Sequence, residues 1–123
     1  NIYDHKMHHE NYEINAEAAE KLNQAKSNKK RLVAVGTTVA RTLESNIKNN
    51  AFHAGKFSTN LYITPTYQYT AIDALITNFH LPKSSLLLLV CAFAGTKQTL
   101  LSYKTAVEHQ YRFFSFGDAM LIT

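Results

Sequence analysis

Apolar residues recur along this chain at two periods. Between Ala16 and Lys26, Ala18, Leu22 and Ala25 share one face, while Glu17 and Lys21 stand four apart on another. That spacing predicts an amphipathic helix with Asn15 as its N-cap. Ahead of it, Asn1 to Ile14 mixes aromatic and polar residues and reads as one or two short extended segments. Ser27-Asn28-Lys29-Lys30 closes the helix as a basic turn. Arg31 to Val35 is a short, largely apolar run, the pattern of a strand buried on both faces. Gly36-Thr37-Thr38 then turns into a second helix, with Thr37 as N-cap and Val39, Leu43 and Ile47 as its apolar stripe. Strand, turn and helix in that order form the unit from which parallel α/β sheets are built.

Further on, Asn49 to Thr59 predicts a polar loop holding Gly55. Leu61 to Ile63 and Ala71 to Ile76 predict two strands around a turn at Pro65, and Thr77 to Lys83 a loop containing Pro82. Ser84 or Ser85 can cap the apolar helix that runs to Gly95, placed where a C′ glycine belongs. A helix over Lys97 to Gln110 presents Leu100, Tyr103 and Val107, with Tyr111 continuing the stripe; a strand over Ala119 to Ile122 follows the turn at Gly117-Asp118. The expected fold is a single α/β domain with a largely parallel, buried sheet flanked by helices on both faces.

Composition narrows the class. With 123 residues, 46% hydrophobic and 18% charged, the chain has the make-up of one globular domain and not of a disordered or fibrous protein. The single cysteine, Cys91, allows neither an internal disulfide nor a cysteine-based zinc site, which fits a reducing cytoplasm. The longest apolar run, Leu86 to Ala94, is about half of the ~18 residues that indicate a membrane span, so no membrane association is expected. The first residues carry neither an initiator Met nor the apolar core of a signal peptide, and the chain is expected to be a fragment. A net charge of +4 is compatible with RNA and equally with many soluble enzymes.

Three places concentrate reactive groups. His5-Lys-Met-His-His-Glu10 offers imidazoles and a carboxylate, but the spacing fits no usual zinc motif. It reads as a solvated strand or as one lining a substrate cleft, without metal. Gly36-Thr37-Thr38 with Arg41 opens a helix at a strand end, where backbone N–H groups and a partial positive charge suit an anion. The plainer reading is a threonine cap beside a surface pair between Arg41 and Glu44. Thr77-Asn-Phe-His-Leu-Pro-Lys-Ser84 lies between a strand end and a helix start. There His80 suits proton transfer, Thr77 and Asn78 offer hydrogen bonds and Phe79 a ring face. A loop histidine can also be purely structural. The tail Tyr111-Arg-Phe-Phe-Ser-Phe-Gly-Asp118 adds aromatics beside Arg112, suited to a core or to stacking on a base or a sulfonium.

These same places resemble the queuosine-pathway ribosyltransferase-isomerase family. The matching words are His5 to Glu10, Ala34 to Glu44, Asp73 to Ser84, Ala92 to Gly95 and Tyr111 to Met120, in family order along nearly the whole chain. Departures are Thr66 for a usual glycine, Asn60 for aspartate, Cys91 for serine and Ser85 for threonine. The resemblance implies that residues 1–123 are the carboxy-terminal part of the α/β catalytic domain of a two-domain enzyme whose inserted β-barrel lies outside this chain. It implies S-adenosylmethionine as ribosyl donor and substrate, with no permanently bound cofactor and no metal. The acceptor is 7-aminomethyl-7-deazaguanine at the wobble position in the anticodon loop of tRNA; the product is epoxyqueuosine, with adenine and methionine released. A monomer is expected.

The needs of that reaction, and not the family match, assign the roles expected here: His80 takes the acid/base role with Asp73 or Asp118 in support. Thr37, Thr38 and Arg41 hold an anionic group, and Phe79 or Phe113 packs on the sulfonium or a base. His5, His8 and Glu10 line the same cleft with Thr77, Asn78 and Arg112. The contrasting expectation is a non-catalytic RNA-binding α/β module, with Lys26, Lys29, Lys30 and Arg31 as its basic patch.

Overall fold

The computed structural model describes residues 9–81, 84–114 and 117–123. Nine elements follow in order: β1 (Glu10–Ile14), α1 (Ala16–Ser27), β2 (Val33–Val35), α2 (Thr37–Asn46), β3 (Gly55–Thr59), β4 (Ala74–Asn78), α3 (Ser85–Ala94), α4 (Thr96–Glu108) and β5 (Ala119–Ile122).

Local chemistry sets the helix ends. The Asn15 side chain accepts from the Ala18 N–H at 2.7 Å, and the Ser84 hydroxyl accepts from the Leu87 N–H at 3.1 Å, so α1 and α3 start at side-chain caps. Gly95, at φ 93°, ends α3 and opens α4 without an intervening loop. At α2 the cap is Gly36 (φ 102°), with no side-chain bond, and Thr37 is already helical. The predicted threonine cap is thus replaced by a glycine whose conformation a side chain would strain.

The chain is α/β, but its sheets are small and mixed. Strands β2, β4 and β5 form one sheet in that order; β2 runs parallel to β4 and β5 antiparallel to it. Strands β1 and β3 form a separate antiparallel ribbon. Among the described residues one strand pair of three is parallel, which corrects the expectation of a largely parallel sheet. The reason is topological: helices α3 and α4 both lie between β4 and β5, and the chain re-enters the sheet at the edge where β4 ends, with Ala119 opposite Asn78, so β5 runs back against β4.

The expectation of a strand buried on both faces also changes. Ala34 is fully buried against the core that includes Leu75, whereas Val33 and Val35 point the other way and are 49% and 64% exposed. Leu61 to Ile63 forms no strand, although Ile63 is buried. Instead β3 lies in the stretch expected to be a loop. The pattern Gly-Lys-Phe-Ser-Thr buries little, so its partner β1, which pairs Tyr12 with Phe57, is what makes it a strand. On α4 the buried side chains are Thr99, Tyr103 and Ala106, while Leu100, Val107 and Tyr111 are exposed, so the apolar stripe faces outward except at Tyr103.

The main core gathers Ile14, Ala34, Ala40, Leu43, Phe52, Ile63, Leu75 and Leu89 between α2, the sheet and α3. A second core joins Phe79, Leu87, Cys91, Tyr103 and Ala106 where α3 and α4 pack on each other. Among the described residues no single helix is long and apolar enough to cross a membrane.

Candidate functional site

In a parallel strand pair the carboxyl ends share one edge of the sheet, and loops there are positioned by two elements at once. Here Gly36 donates its N–H to the Ile76 carbonyl at 2.8 Å, tying the start of α2 to the end of β4. Thr77 and Asn78 belong to β4 itself, so the strand runs two residues into the predicted loop. Antiparallel β5 begins at the same edge, with Asn78 opposite Ala119. Thr37, Thr38, Thr77, Asn78, His80, Arg112, Phe113 and Asp118 therefore gather at this edge.

His80 is the best-held titratable group there. Its Nε2 lies 2.9 Å from the Thr77 hydroxyl, and its backbone N–H donates to the Tyr103 hydroxyl at 2.8 Å. Thr77 is buried and His80 half-buried; burial lowers the imidazole pKa, because the cation loses hydration. Burial is likewise the first cause that raises Tyr103, so its hydroxyl keeps its proton. Neutral imidazole beside a hydroxyl can exchange a proton in either direction.

Asp118 closes the turn that borders the edge. Its Oδ2 accepts from the Arg112 N–H at 2.8 Å, its N–H donates to the Arg112 carbonyl at 2.8 Å, and the two side chains stand 3.8 Å apart. The Arg112 guanidinium is 75% exposed, so the ion pair contributes little and the backbone bonds define the turn. Gly117 fits because an added Cβ would lie 2.3 Å from the Arg112 carbonyl oxygen.

Other predicted site residues sit elsewhere. Asp73 precedes β4, at the opposite end from His80; the strand's last residue, Asn78, is already about 16 Å away at ~3.3 Å per residue. Its carboxylate accepts from the Leu32 N–H at 2.7 Å and fixes the entry of β2, so it does not meet His80. Phe79 is 4% exposed, with its ring packed by Tyr103, Tyr111 and Phe113. A ring so enclosed offers no face to a ligand. Phe113 is half-buried in that cluster, and Phe114, from the same aromatic tail, is 50% exposed at φ 68°.

Arg41 is buried in α2 and does not pair with Glu44. Its Nη1 binds the Glu10 carboxylate, its Nε donates to the Leu61 carbonyl at 3.2 Å, and Nη2 is buried without a partner among the described residues. Glu10 therefore anchors the ribbon to α2. His5 and His8 lie outside the described residues. Among the described residues no three His, Cys, Asp or Glu side chains cluster as metal ligands.

Glu44 is buried too. Oε1 accepts from the Tyr67 hydroxyl at 2.7 Å and the Thr70 N–H at 2.9 Å; Oε2 accepts from the N–H groups of Ala71 at 2.7 Å and Ile72 at 3.0 Å. One carboxylate thus fixes the loop leading into β4. The roles of Tyr103 and Glu44 escaped sequence reasoning because their partners, mostly backbone groups, lie far along the chain.

With this geometry in hand, comparison with known proteins is informative. The family model described as queuosine biosynthesis protein matches residues 1–122. The chain is 57% identical over 122 residues to the S-adenosylmethionine:tRNA ribosyltransferase-isomerase of Carboxydothermus hydrogenoformans, covering 99% of this chain and 36% of that relative. It is 58% identical to the enzyme of the same name from Syntrophomonas wolfei, covering 98% and 35%. A crystal structure of the S-adenosylmethionine tRNA ribosyltransferase from Thermotoga maritima superposes with a TM-score of 0.84 at 45% identity, covering 92% of this chain and 40% of that one. The chain thus spans about a third of the length of the curated relatives it matches.

Proposed function

The chain belongs to the queuosine biosynthesis protein family, and from that membership we propose that it is the carboxy-terminal part of the catalytic domain of an S-adenosylmethionine-dependent tRNA ribosyltransferase-isomerase. The full protein moves the ribosyl part of S-adenosylmethionine to the aminomethyl nitrogen of 7-aminomethyl-7-deazaguanine in the anticodon loop. Rearrangement gives epoxyqueuosine, and adenine and methionine leave. It works in the cytoplasm as a monomer, away from membranes, and an inserted β-barrel belongs to the part outside this chain.

The observation that carries the reading is the half-buried His80, its ring held by Thr77 and its backbone N–H by Tyr103, at the sheet edge beside the start of α2. The sulfonium acidifies the neighbouring ribosyl carbon, and neutral His80 accepts that proton. The imidazolium so formed can return a proton to departing adenine, whose neutral form is the better leaving group. Thr77 is the positioning residue for the ring. The free N–H groups at Thr37 and Thr38 receive an anionic group of the substrate, such as the methionine carboxylate. Asn78, Arg112 and Phe113 border the same space, and the Asp118 turn shapes it. Arg41 acts through Glu10, by holding the strand that follows His5 and His8 against α2.

The test follows free adenine chromatographically, using the full-length protein, S-adenosylmethionine and tRNA carrying 7-aminomethyl-7-deazaguanine. Adenine is expected only when that tRNA is present. A folded protein that releases none, or releases it without the tRNA, contradicts the assignment.

A further inference from the structure

A second cleft lies at the other end of α2, away from the His80 edge. It encloses about 390 Å³ between the C-terminal end of α2, the following turn and the inner face of the β1–β3 ribbon. One wall is aromatic: the Tyr12 and Phe57 rings stand 5.5 Å apart and tilted by 32°. Phe57 is 38% exposed, and its ring covers Gly55, where an added Cβ would meet it at 3.2 Å.

The facing wall is polar and basic, with Ser45, Lys48, Asn49 and His53, and among the described residues no carboxylate lines the cleft. That wall is rigid. Lys48 and Ala51 exchange both backbone hydrogen bonds across Asn49 and Asn50, which have φ of 52° and 61°, the signature of a type I′ turn. Buried Asn46 binds both backbone groups of His53, at 2.7 and 3.0 Å.

We infer that this cleft is a nucleotide subsite that stacks one base of single-stranded RNA on Phe57 and Tyr12 and takes its phosphate on Lys48 and His53. An exposed ring face combined with a lysine and, among the described residues, no acid is the combination that single-stranded nucleic acid uses. A sulfonium cation finds no counter-charge here. The volume falls within the ~300–1,000 Å³ of small-ligand sites. The subsite rests on the tRNA reading above and deepens it. Thr37 and Asn46, the two ends of α2, are separated by about 14 Å at ~1.5 Å per residue, and Lys48 lies just beyond. That corresponds to about four stacked nucleotides at ~3.4 Å each, so the base held here lies outside the reacting position.

The experiment measures fluorescence anisotropy of a dye-labelled anticodon stem-loop RNA on the full-length protein, over a salt series. It compares wild type with Phe57→Leu and Lys48→Gln, with unlabelled UMP as a competitor. Phe57→Leu is expected to weaken binding about tenfold with the salt slope unchanged. Lys48→Gln is expected to weaken it as well and to lower the slope by about 0.7, one phosphate contact on a single strand. S-adenosylmethionine affinity should not move in either. Unchanged RNA affinity and slope in both folded variants overturns the subsite, while tRNA-dependent adenine release still upholds the ribosyl transfer. UMP binding as tightly as the stem-loop overturns the strand assignment in favour of a free mononucleotide. A wild-type protein that neither binds the RNA nor releases adenine overturns the subsite and the tRNA reading together.

Discussion

The Thr77 hydroxyl and His80 Nε2 lie 2.9 Å apart, joined by a strand end that β5 and α2 both hold in place. The pair has a pH consequence. Burial lowers the His80 pKa below its ordinary 6.5, so as pH falls the unfolded chain takes up this proton before the folded one does. The unfolded state then binds more protons, and stability rises with pH wherever that holds. Stability is therefore expected to increase from the folded pKa up to about 6.5 and to level off above it, as far as His80 contributes. Denaturant midpoints measured across pH 4.5 to 8 should show that increment in wild type and lose it in His80→Gln. An unchanged profile in the variant rules out His80 as its source.

The same lowered pKa keeps the imidazole neutral and ready as a base, so the acidic limb of kcat/KM should lie below 6.5. His80→Gln is expected to lower kcat by about a hundredfold or more while tRNA affinity stays unchanged. Thr77→Val should cost less and move the acidic limb, because the ring loses its only side-chain partner among the described residues. If Thr77→Val lowers stability but leaves the limb in place, its role is packing alone.

Glu44 gives the clearest stability prediction. Its carboxylate receives three backbone N–H groups and the Tyr67 hydroxyl in a buried site. Burial first, and then the Glu44 hydrogen bond and charge, push the Tyr67 phenol far above its usual 10. In Glu44→Gln the amide would point a donor at donors, at a cost of about 3 kcal/mol. Urea denaturation should show that loss, and alkaline absorbance titration should show Tyr67 ionising at lower pH. A variant as stable as wild type would mean that water replaces the carboxylate.

Much of the fold could be read in the sequence where a signal is local. The Asn15 and Ser84 caps, Gly95 between two helices and the last strand all depend on residues within a few positions of each other. Strand β3 could not be read, because its pairing with β1 spans more than 40 residues and Phe57 is its only large apolar side chain. Helix α2 misled for a different reason. Its buried residues are Ala40, Arg41, Leu43, Glu44 and Asn46, and three of these are polar. Each polar one is held by distant backbone or by Glu10, so hydrophobic periodicity pointed to Val39, which is 42% exposed. At the candidate site the strand end and its histidine were legible, whereas Tyr103 was not: as a helix residue at apolar spacing it looked like core alone.

The turn between Arg112 and Asp118 offers a prediction on geometry alone. An added Cβ at Gly117 would fall 2.3 Å from the Arg112 carbonyl oxygen and 2.7 Å from that of Phe113. Both contacts are with backbone, which cannot rotate away as a side-chain tip can. Gly117→Ala should therefore open the turn and lose the Asp118 N–H bond to Arg112, costing about 0.5–1.5 kcal/mol, the net worth of a hydrogen bond at an exposed residue.

The effect should reach the sheet edge, because the next residues, Ala119 and Met120, pair with Asn78 and Thr77. Amide hydrogen exchange is the measurement to make. Faster exchange at Asp118, with the Glu44-bound amides of Thr70 to Ile72 unchanged, would place the damage in this turn. Equal acceleration at both places would mean that Gly117 supports the whole domain and carries no special relation to the site.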